Sequence, residues 1–276
     1  MGNEDSSWVI DDKADQERID GFRLMDDDFF SEVFEGNKDA VKRLLSIVLD
    51  KNDIKIVDVK TQVEYRNAIK RSIRLDVRAV DSKGNVYDIE VQRDEEELTP
   101  ERGRYHSSVV DRPLLEKGQK FAEIPDSYVI FITEKDKYGK GKPMYHIRRT
   151  VKELDDAEYG DRNTIIYVNG EFRDEEHPVG KLMHDFQCTE AKDMFYPELA
   201  ETVRFYKETE GGRKKMCKVM EDMRNETAVR ATISAYYDVD IRDEDTLVKK
   251  VMEKFAFLSQ EVATKYVQDF LGMHIA

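Results

Sequence analysis

Residues 74–93 read RLDVRAVDSKGNVYDIEVQR, with apolar and polar side chains alternating on either side of a short polar loop. Alternation with a period of two is typical of β-strands, so the stretch predicts two strands over roughly 73–81 and 86–92. Ser82-Lys83-Gly84 suits a three-residue hairpin loop, in which Gly84 takes the left-handed backbone conformation. The sequence therefore predicts a β-hairpin.

The length of this loop sets the register of the hairpin. It pairs Asp81 with Asn85, and counting back places Asp76 opposite Glu90. Side chains directly opposed in a hairpin lie about 4.5–5.5 Å apart at Cβ, so two carboxylates there repel unless a cation or a proton lies between them. Carboxylate oxygens suit magnesium or manganese, and Gln92 lies on the same face as Glu90. We therefore predict a catalytic metal site at Asp76, Glu90 and Gln92.

A simpler interpretation of these acidic residues stays open at this stage. Exposed hairpins commonly carry acidic side chains on their solvent face, and Arg78 lies where it can neutralise Glu90 diagonally. Spacing alone does not separate a metal site from an ordinary charged surface.

The remaining pattern predicts an α/β core followed by a helical region. Flexible acidic residues are expected at 1–20, the core domain at 21–190 and a helical extension at 191–276. A helix over 26–50 is expected to divide at Gly36-Asn37. The other expected elements are strands at 54–67, 127–133, 143–149 and 163–168, and helices at 100–118, 178–187, 197–209, 213–235, 243–257 and 260–272, with Gly211-Gly212 as an interruption.

Composition limits the class of protein. The formal net charge of −14 argues against a protein that coats nucleic acid by bulk electrostatics, although a local basic patch remains compatible with it. Cys188 and Cys217 have no metal-type spacing, which favours a reducing, cytoplasmic location. No run approaches 18 apolar residues, so no transmembrane helix and no membrane partner are expected.

At the hairpin, the chain resembles the PD-(D/E)XK nuclease superfamily and, more closely, the bacterial PD-(D/E)XK nuclease family transposases related to recombination-promoting nucleases. Asp76 and the triplet Glu90-Val91-Gln92 match the superfamily pattern, with Gln92 in the place of its lysine, as is frequent in the transposase family. The resemblance covers about residues 22–230. The flanking segments that carry it are LMDDDFFSEVFEGN from residue 24, RGRYHSSVVDRPLLEKGQ from 102, KLMHDFQC from 181 and KKMCKVMEDMRNE from 214.

This resemblance implies a restriction-endonuclease-like core, a mixed central sheet flanked by helices, with a C-terminal all-helical extension. It implies Mg²⁺ or Mn²⁺ held by Asp76, Glu90 and the main-chain carbonyl of Val91. Gln92 would orient the attacking water but cannot supply the charge of lysine. Accessory candidates are an acidic residue of the first helix, Glu32 or Glu35, and Tyr105 of the following helix.

DNA is the partner that the resemblance implies, and an acidic protein needs a local basic surface to bind it. A solvated loop is the equally weighted alternative for these basic residues. The candidates are Arg66, Lys70, Arg71 and Arg74 before Asp76, and Arg102 and Arg104 after Glu90.

Two functions follow as hypotheses. The first is a metal-dependent DNA endonuclease associated with mobile elements or recombination. The second is a catalytically weak or inactive nuclease-derived scaffold that binds DNA or protein, with homo-oligomerisation through the helical extension. Gln92 and the net charge of −14 keep the second hypothesis open.

Overall fold

The computed structural model describes residues 12–65, 73–94 and 98–274. These residues divide into two compact units, with the boundary between Arg213 and Lys214. The first unit is mixed α/β and the second is helical, in the order that the sequence predicted. Among the residues described, no helix combines the length and the apolar character needed to cross a bilayer.

The bounds of most elements lie within a few residues of those expected, but the helix expected at 100–118 ends at Asp111. The helices are α1 Asp12–Gly21, α2 Asp27–Phe34, α3 Lys38–Val48, α4 Pro100–Asp111, α5 Pro178–Gln187, α6 Pro197–Glu208, α7 Glu210–Asp238, α8 Glu244–Lys254 and α9 Gln260–His274. The strands are β1 Ile56–Tyr65, β2 Ile73–Asp81, β3 Val86–Gln92, β4 Ser127–Thr133, β5 Met144–Ile147, β6 Thr150–Val151, β7 Ala157–Glu158 and β8 Asn163–Asn169.

A six-stranded mixed sheet in the order β1-β2-β3-β4-β8-β5 forms the centre of the first unit. The β1, β2 and β3 strands are antiparallel neighbours, whereas β4 runs parallel to both β3 and β8. Helix α2 contacts β1, β2 and β3, and α4 contacts β3, β4 and β8. The fold is the mixed sheet flanked by helices that the sequence led us to expect, consistent with a restriction-endonuclease-like core.

Local sequence explains the break between α2 and α3. Gly36 has a φ of +64°, a conformation that side chains disfavour, and it ends α2 at the expected place. The Asn37 side chain then accepts a hydrogen bond from the main-chain N–H of Ala40 and caps α3. Burial of Phe29 and Phe30 fixes α2 against the core.

The apolar sequence of β4 fits its buried position in the centre of the sheet. Its sequence SYVIFIT is nearly continuously apolar, as expected for a strand covered on both faces. Val129 and Phe131 pack in one cluster with Val110 of α4. This cluster fixes α4 beside the sheet.

Three expectations need correction. Residues 12–21 form helix α1 with Ile19 buried, where a flexible tail was expected. Helix α6 packs in the first unit and not with the extension, since Tyr206 donates a hydrogen bond to the main-chain oxygen of Glu32. Gly211 and Gly212 lie in the first turn of α7, and the chain leaves helical geometry at Thr209 instead.

The second unit has its own apolar core. The C-terminal part of α7 packs with α8 and α9 through residues such as Ile233, Val251 and Val267, all fully buried. The helical character of this region is what the sequence predicted.

Candidate active site

The hairpin has the predicted register. Asp81 N–H donates to the Asn85 carbonyl at 3.1 Å, and Gly84 has a φ of +84°. The Asp81 carboxylate stabilises the loop by accepting hydrogen bonds from the main-chain N–H groups of Lys83 and Asn85 and from the Tyr87 hydroxyl. The loop therefore fixes the alignment of β2 and β3.

At the end of the hairpin away from the loop, hydrogen bonds to side chains take the place of the regular main-chain pairing between β2 and β3. Val77 pairs with Ile89, and the next step along the register brings together Asp76 and Glu90. The Asp76 N–H donates to Glu90 Oε1 at 2.9 Å, and the Val91 N–H donates to Asp76 Oδ2 at 3.2 Å. The Glu90 side chain is thus bonded to the backbone of Asp76, and the Asp76 side chain to the backbone of Val91, the residue after Glu90.

These acidic residues do not lie on a solvent face. Every residue of β3 is buried, and Asp88 and Glu90 are 0% and 1% exposed. Asp76 and Gln92 are each 8% exposed. The interpretation of the acidic residues as an ordinary charged surface is therefore wrong.

Asp76, Asp88 and Glu90 form an acidic cluster, and burial raises the pKa of all three carboxyl groups. The pKa of Asp88 is raised to about 8 by burial and by the charge of Asp76, against an opposing hydrogen bond with Glu90. Burial and the charge of Asp88 raise the pKa of Glu90 well above its ordinary value. Burial, Glu90 and Asp27 do the same for the pKa of Asp76. Without a bound cation, the cluster therefore disfavours ionisation of all three carboxyl groups.

Helix α4 contributes two residues to this cluster. Thr99 caps the helix by accepting a hydrogen bond from Arg102 N–H, and Pro100 occupies its first turn. His106 Nδ1 lies 2.9 Å from Asp88 Oδ2 and 4.0 Å from Glu90 Oε2. Arg102 Nη2 lies 3.9 Å from the same Glu90 oxygen.

Sequence reasoning missed Asp88 and His106 as site residues. In the sequence, His106 has no histidine, cysteine or acidic residue three or four positions away, which is the spacing of a ligand pair on a helix. The available pattern was the spacing of four residues between Arg102 and His106, which places both on one side of a helix. The polar face of β3 that includes Asp88 was the matching pattern on the sheet.

The structure also places Gln92 and Arg78 beside this cluster. Gln92 Nε2 donates to the main-chain oxygen of Asp94 at 3.1 Å. Arg78 pairs in register with Asp88 and so lies diagonal to Glu90, as expected, and its charge lowers the pKa of Asp88.

The first helix contributes a different acidic residue from those predicted. Glu32 lies beside the Tyr206 hydroxyl of α6, and Glu35 accepts a hydrogen bond from the Thr61 N–H. Asp27 is the residue of α2 whose charge raises the pKa of Asp76. The accessory roles expected for Glu32 and Glu35 are therefore not supported.

Gln62 of β1 is a further residue next to this site. It lies in the ladder between the pairs Thr61–Val77 and Val63–Leu75, opposite Asp76, with a φ of +52°. Its side chain donates a hydrogen bond to Ser31 of α2. Left-handed φ values at residues other than glycine concentrate at functional sites, and no sequence pattern predicted this one.

The predicted basic surface is only partly described. Arg66, Lys70 and Arg71 lie outside the described residues. Arg74 is exposed on β2, and its charge lowers the pKa of Asp76. Arg104 and Tyr105 lie on the exposed side of α4, so the structure does not bring either into the acidic cluster.

The cluster fits a divalent cation. Three buried carboxyl groups supply the hard oxygen ligands that such ions prefer. Asp88 Oδ1 is buried and, among the described residues, accepts no hydrogen bond. A buried oxygen without a partner costs about 1–3 kcal/mol, which an ion would offset.

Comparison with known proteins gives one match. The family model for the PD-(D/E)XK nuclease family transposases matches residues 24–193, well over half of the chain. This span includes both strands of the hairpin and α4. No curated protein and no solved structure matches the chain.

Proposed function

The chain belongs to the PD-(D/E)XK nuclease family transposases, and from that premise we propose that it is a metal-dependent DNA endonuclease associated with mobile elements or recombination. The main support for this proposal is that Asp76 and Glu90 are buried beside each other at the end of the hairpin. A carboxylate pair held this close, with both pKa values raised, is typical of a site that takes up a cation.

Asp76, Glu90 and the main-chain carbonyl of Val91 are the residues that would hold Mg²⁺ or Mn²⁺. An ion bound there would lower the pKa of a water molecule and stabilise charge on the scissile phosphate. The Val91 N–H bond to Asp76 supports this assignment, because it ties the strand that carries the carbonyl to the first carboxylate.

The other residues of the site position the substrate and the water. Gln92, two residues beyond Glu90 on the same strand, orients the water through its side-chain amide. Arg102, 3.9 Å from Glu90, supplies a positive charge that Gln92 lacks. Arg102 thereby compensates in part for the absent lysine, by offsetting negative charge in the transition state.

DNA is the proposed partner, through contacts between basic residues and phosphates. Arg74 and Arg104 are exposed, as phosphate contacts require, and Arg102 approaches the acidic cluster itself. Arg66, Lys70 and Arg71 remain candidates from the sequence. We retain homo-oligomerisation through residues 191–276 and a cytoplasmic location as proposals from the sequence.

A plasmid-nicking assay with Mg²⁺ or Mn²⁺ tests the nuclease. We expect Asp76→Asn and Glu90→Gln to lower the cleavage rate at least about 100-fold, as loss of a charge-stabilising group does. Asp58→Asn is the matched control, because Asp58 is a half-exposed carboxylate on neighbouring β1, in contact with Lys60. Equal cleavage by all four proteins, each shown to be folded by circular dichroism, refutes the site.

A catalytically weak scaffold is the second candidate, favoured by one observation. Gln92 stands where the superfamily has lysine, and its amide donates to the Asp94 carbonyl instead of facing a free site. This candidate predicts tight DNA binding without cleavage under any divalent cation. Cleavage that depends on Asp76 and Glu90 excludes it.

A further inference from the structure

A second set of potential metal ligands lies beside the Asp76–Glu90 pair, on the side of β3 that contacts α4. It consists of a carboxylate oxygen of Asp88, a carboxylate oxygen of Glu90 and a ring nitrogen of His106, all within 4.8 Å of one another. The three residues are 0%, 1% and 2% exposed. The family pattern of Asp76, Glu90 and Val91 includes neither Asp88 nor His106.

The spacing of these atoms suits a shared ion. Neighbouring ligands of an octahedral ion at 2.0–2.2 Å lie roughly 3 Å apart. His106 Nδ1 and Asp88 Oδ2 are 2.9 Å apart, and His106 Nδ1 and Glu90 Oε2 are 4.0 Å apart. The first separation is that of a hydrogen bond between His106 and Asp88, which a shared ion would replace. The second lies between the separations of adjacent and of opposite ligands around an octahedral ion.

Asp88 provides the independent indication of a missing ligand. It is wholly buried, yet its Oδ1 atom accepts no hydrogen bond from any described residue. Buried polar atoms are nearly always satisfied, so such an atom at a functional site calls for an ion or a water.

Neighbouring cations do not account for this oxygen. The charges of Arg102 and Arg78 lower the pKa of Asp88, but neither side chain forms a hydrogen bond with its Oδ1 atom. Arg74 also acts by its charge, which lowers the pKa of Asp76.

We propose that Asp88, Glu90 and His106 bind a divalent transition-metal ion, with Mn²⁺ preferred over Mg²⁺. The inference rests on the proposed nuclease only in that Glu90 is shared with the Asp76 site. An imidazole ligand favours transition metals over Mg²⁺, whereas a purely carboxylate site accepts Mg²⁺ readily. His106 therefore sets the metal preference of the site.

Pulsed electron paramagnetic resonance of Mn²⁺ added to the metal-free protein tests this directly. We expect nitrogen coupling from a bound imidazole in the wild type and its loss in His106→Gln. Calorimetric titration should show that His106→Gln weakens Mn²⁺ binding about 10-fold or more while changing Mg²⁺ binding less. His146→Gln is the control, because His146 is an exposed histidine on β5 that lies outside both groups of potential metal ligands among the described residues.

Asp76→Asn separates this inference from the nuclease. We expect this variant to lose cleavage but keep the nitrogen-coupled Mn²⁺ signal, because Asp88, Glu90 and His106 are intact. Absence of nitrogen coupling in the wild type overturns the proposal, and so does unchanged Mn²⁺ affinity in both His106→Gln and Asp88→Asn. Cleavage by a wild type without nitrogen coupling leaves the nuclease standing and removes the transition-metal site alone.

Discussion

Replacing Asp88 by asparagine should stabilise the metal-free protein at high pH. Asp88 is fully buried beside Glu90 and Asp76, and its pKa is raised to about 8. An unfolded aspartate titrates near 3.9, so between about pH 4 and 8 the folded state retains a proton that the unfolded state has lost. Wild-type stability must therefore fall as the pH rises through this window. The asparagine side chain has no such proton to lose, and it keeps an oxygen that can accept a hydrogen bond from His106.

The magnitude follows from the pKa difference. Each unit corresponds to about 1.4 kcal/mol, so a difference of about four units sets an upper limit of about 5–6 kcal/mol. Glu90 competes for the same proton, so removal of one carboxyl group relieves only part of this cost. We expect Asp88→Asn to be more stable than the wild type by about 2–3 kcal/mol at pH 8 and equal to it within about 0.5 kcal/mol near pH 4.

Urea unfolding in EDTA at several pH values measures this difference. Near-ultraviolet circular dichroism is a suitable probe, because the stacked rings of Tyr87 and Tyr128 lie in the first unit with their centroids 5.2 Å apart. Asp185→Asn is a control for a buried aspartate that is already satisfied by two main-chain N–H groups, and it should destabilise the protein. The reasoning is refuted if Asp88→Asn has the same pH dependence as the wild type, or is less stable at pH 8.

Three further predictions concern local features. Gly212→Ala should destabilise the first unit by at least about 2 kcal/mol in urea unfolding, because an added Cβ would lie 2.0 Å from a main-chain carbonyl oxygen. Gly211→Ala should instead stabilise the protein by about 0.5–1 kcal/mol, because the space around its added Cβ is open. Similar effects of the two changes would show that close packing at Gly212 does not matter. Thr99→Ala should lower the free energy of unfolding by about 1 kcal/mol, measured by thermal unfolding, because the Arg102 N–H loses its cap. Thr99→Ser should remain close to the wild type. Equal stability of the two variants would rule out the cap. Gln92→Leu should lower the rate of plasmid nicking about 10–100-fold with Mn²⁺ affinity unchanged in calorimetry, whereas equal loss of both would make Gln92 a structural residue.

The sequence by itself determined the hairpin and its register. Alternation of side chains and a three-residue loop with Gly84 are local properties, and they sufficed to place Asp76 opposite Glu90. The helix break at Gly36 and the start of α4 at Thr99 were equally predictable, because turn and cap preferences depend on neighbouring residues. The family resemblance supplied the core architecture and the candidate chemistry.

Only the tertiary structure decided which side chains complete the cluster. His106 and Asp88 are 18 residues apart, and their 2.9 Å contact depends on how α4 lies across β3. The same holds for α2, where packing directs Glu32 towards α6 and leaves Asp27 to act on Asp76. Sequence periodicity specifies the face of an element on which a residue lies, but not the neighbour that this face meets. That choice follows from burial of apolar surface throughout the first unit, which depends on contacts between residues far apart in the chain.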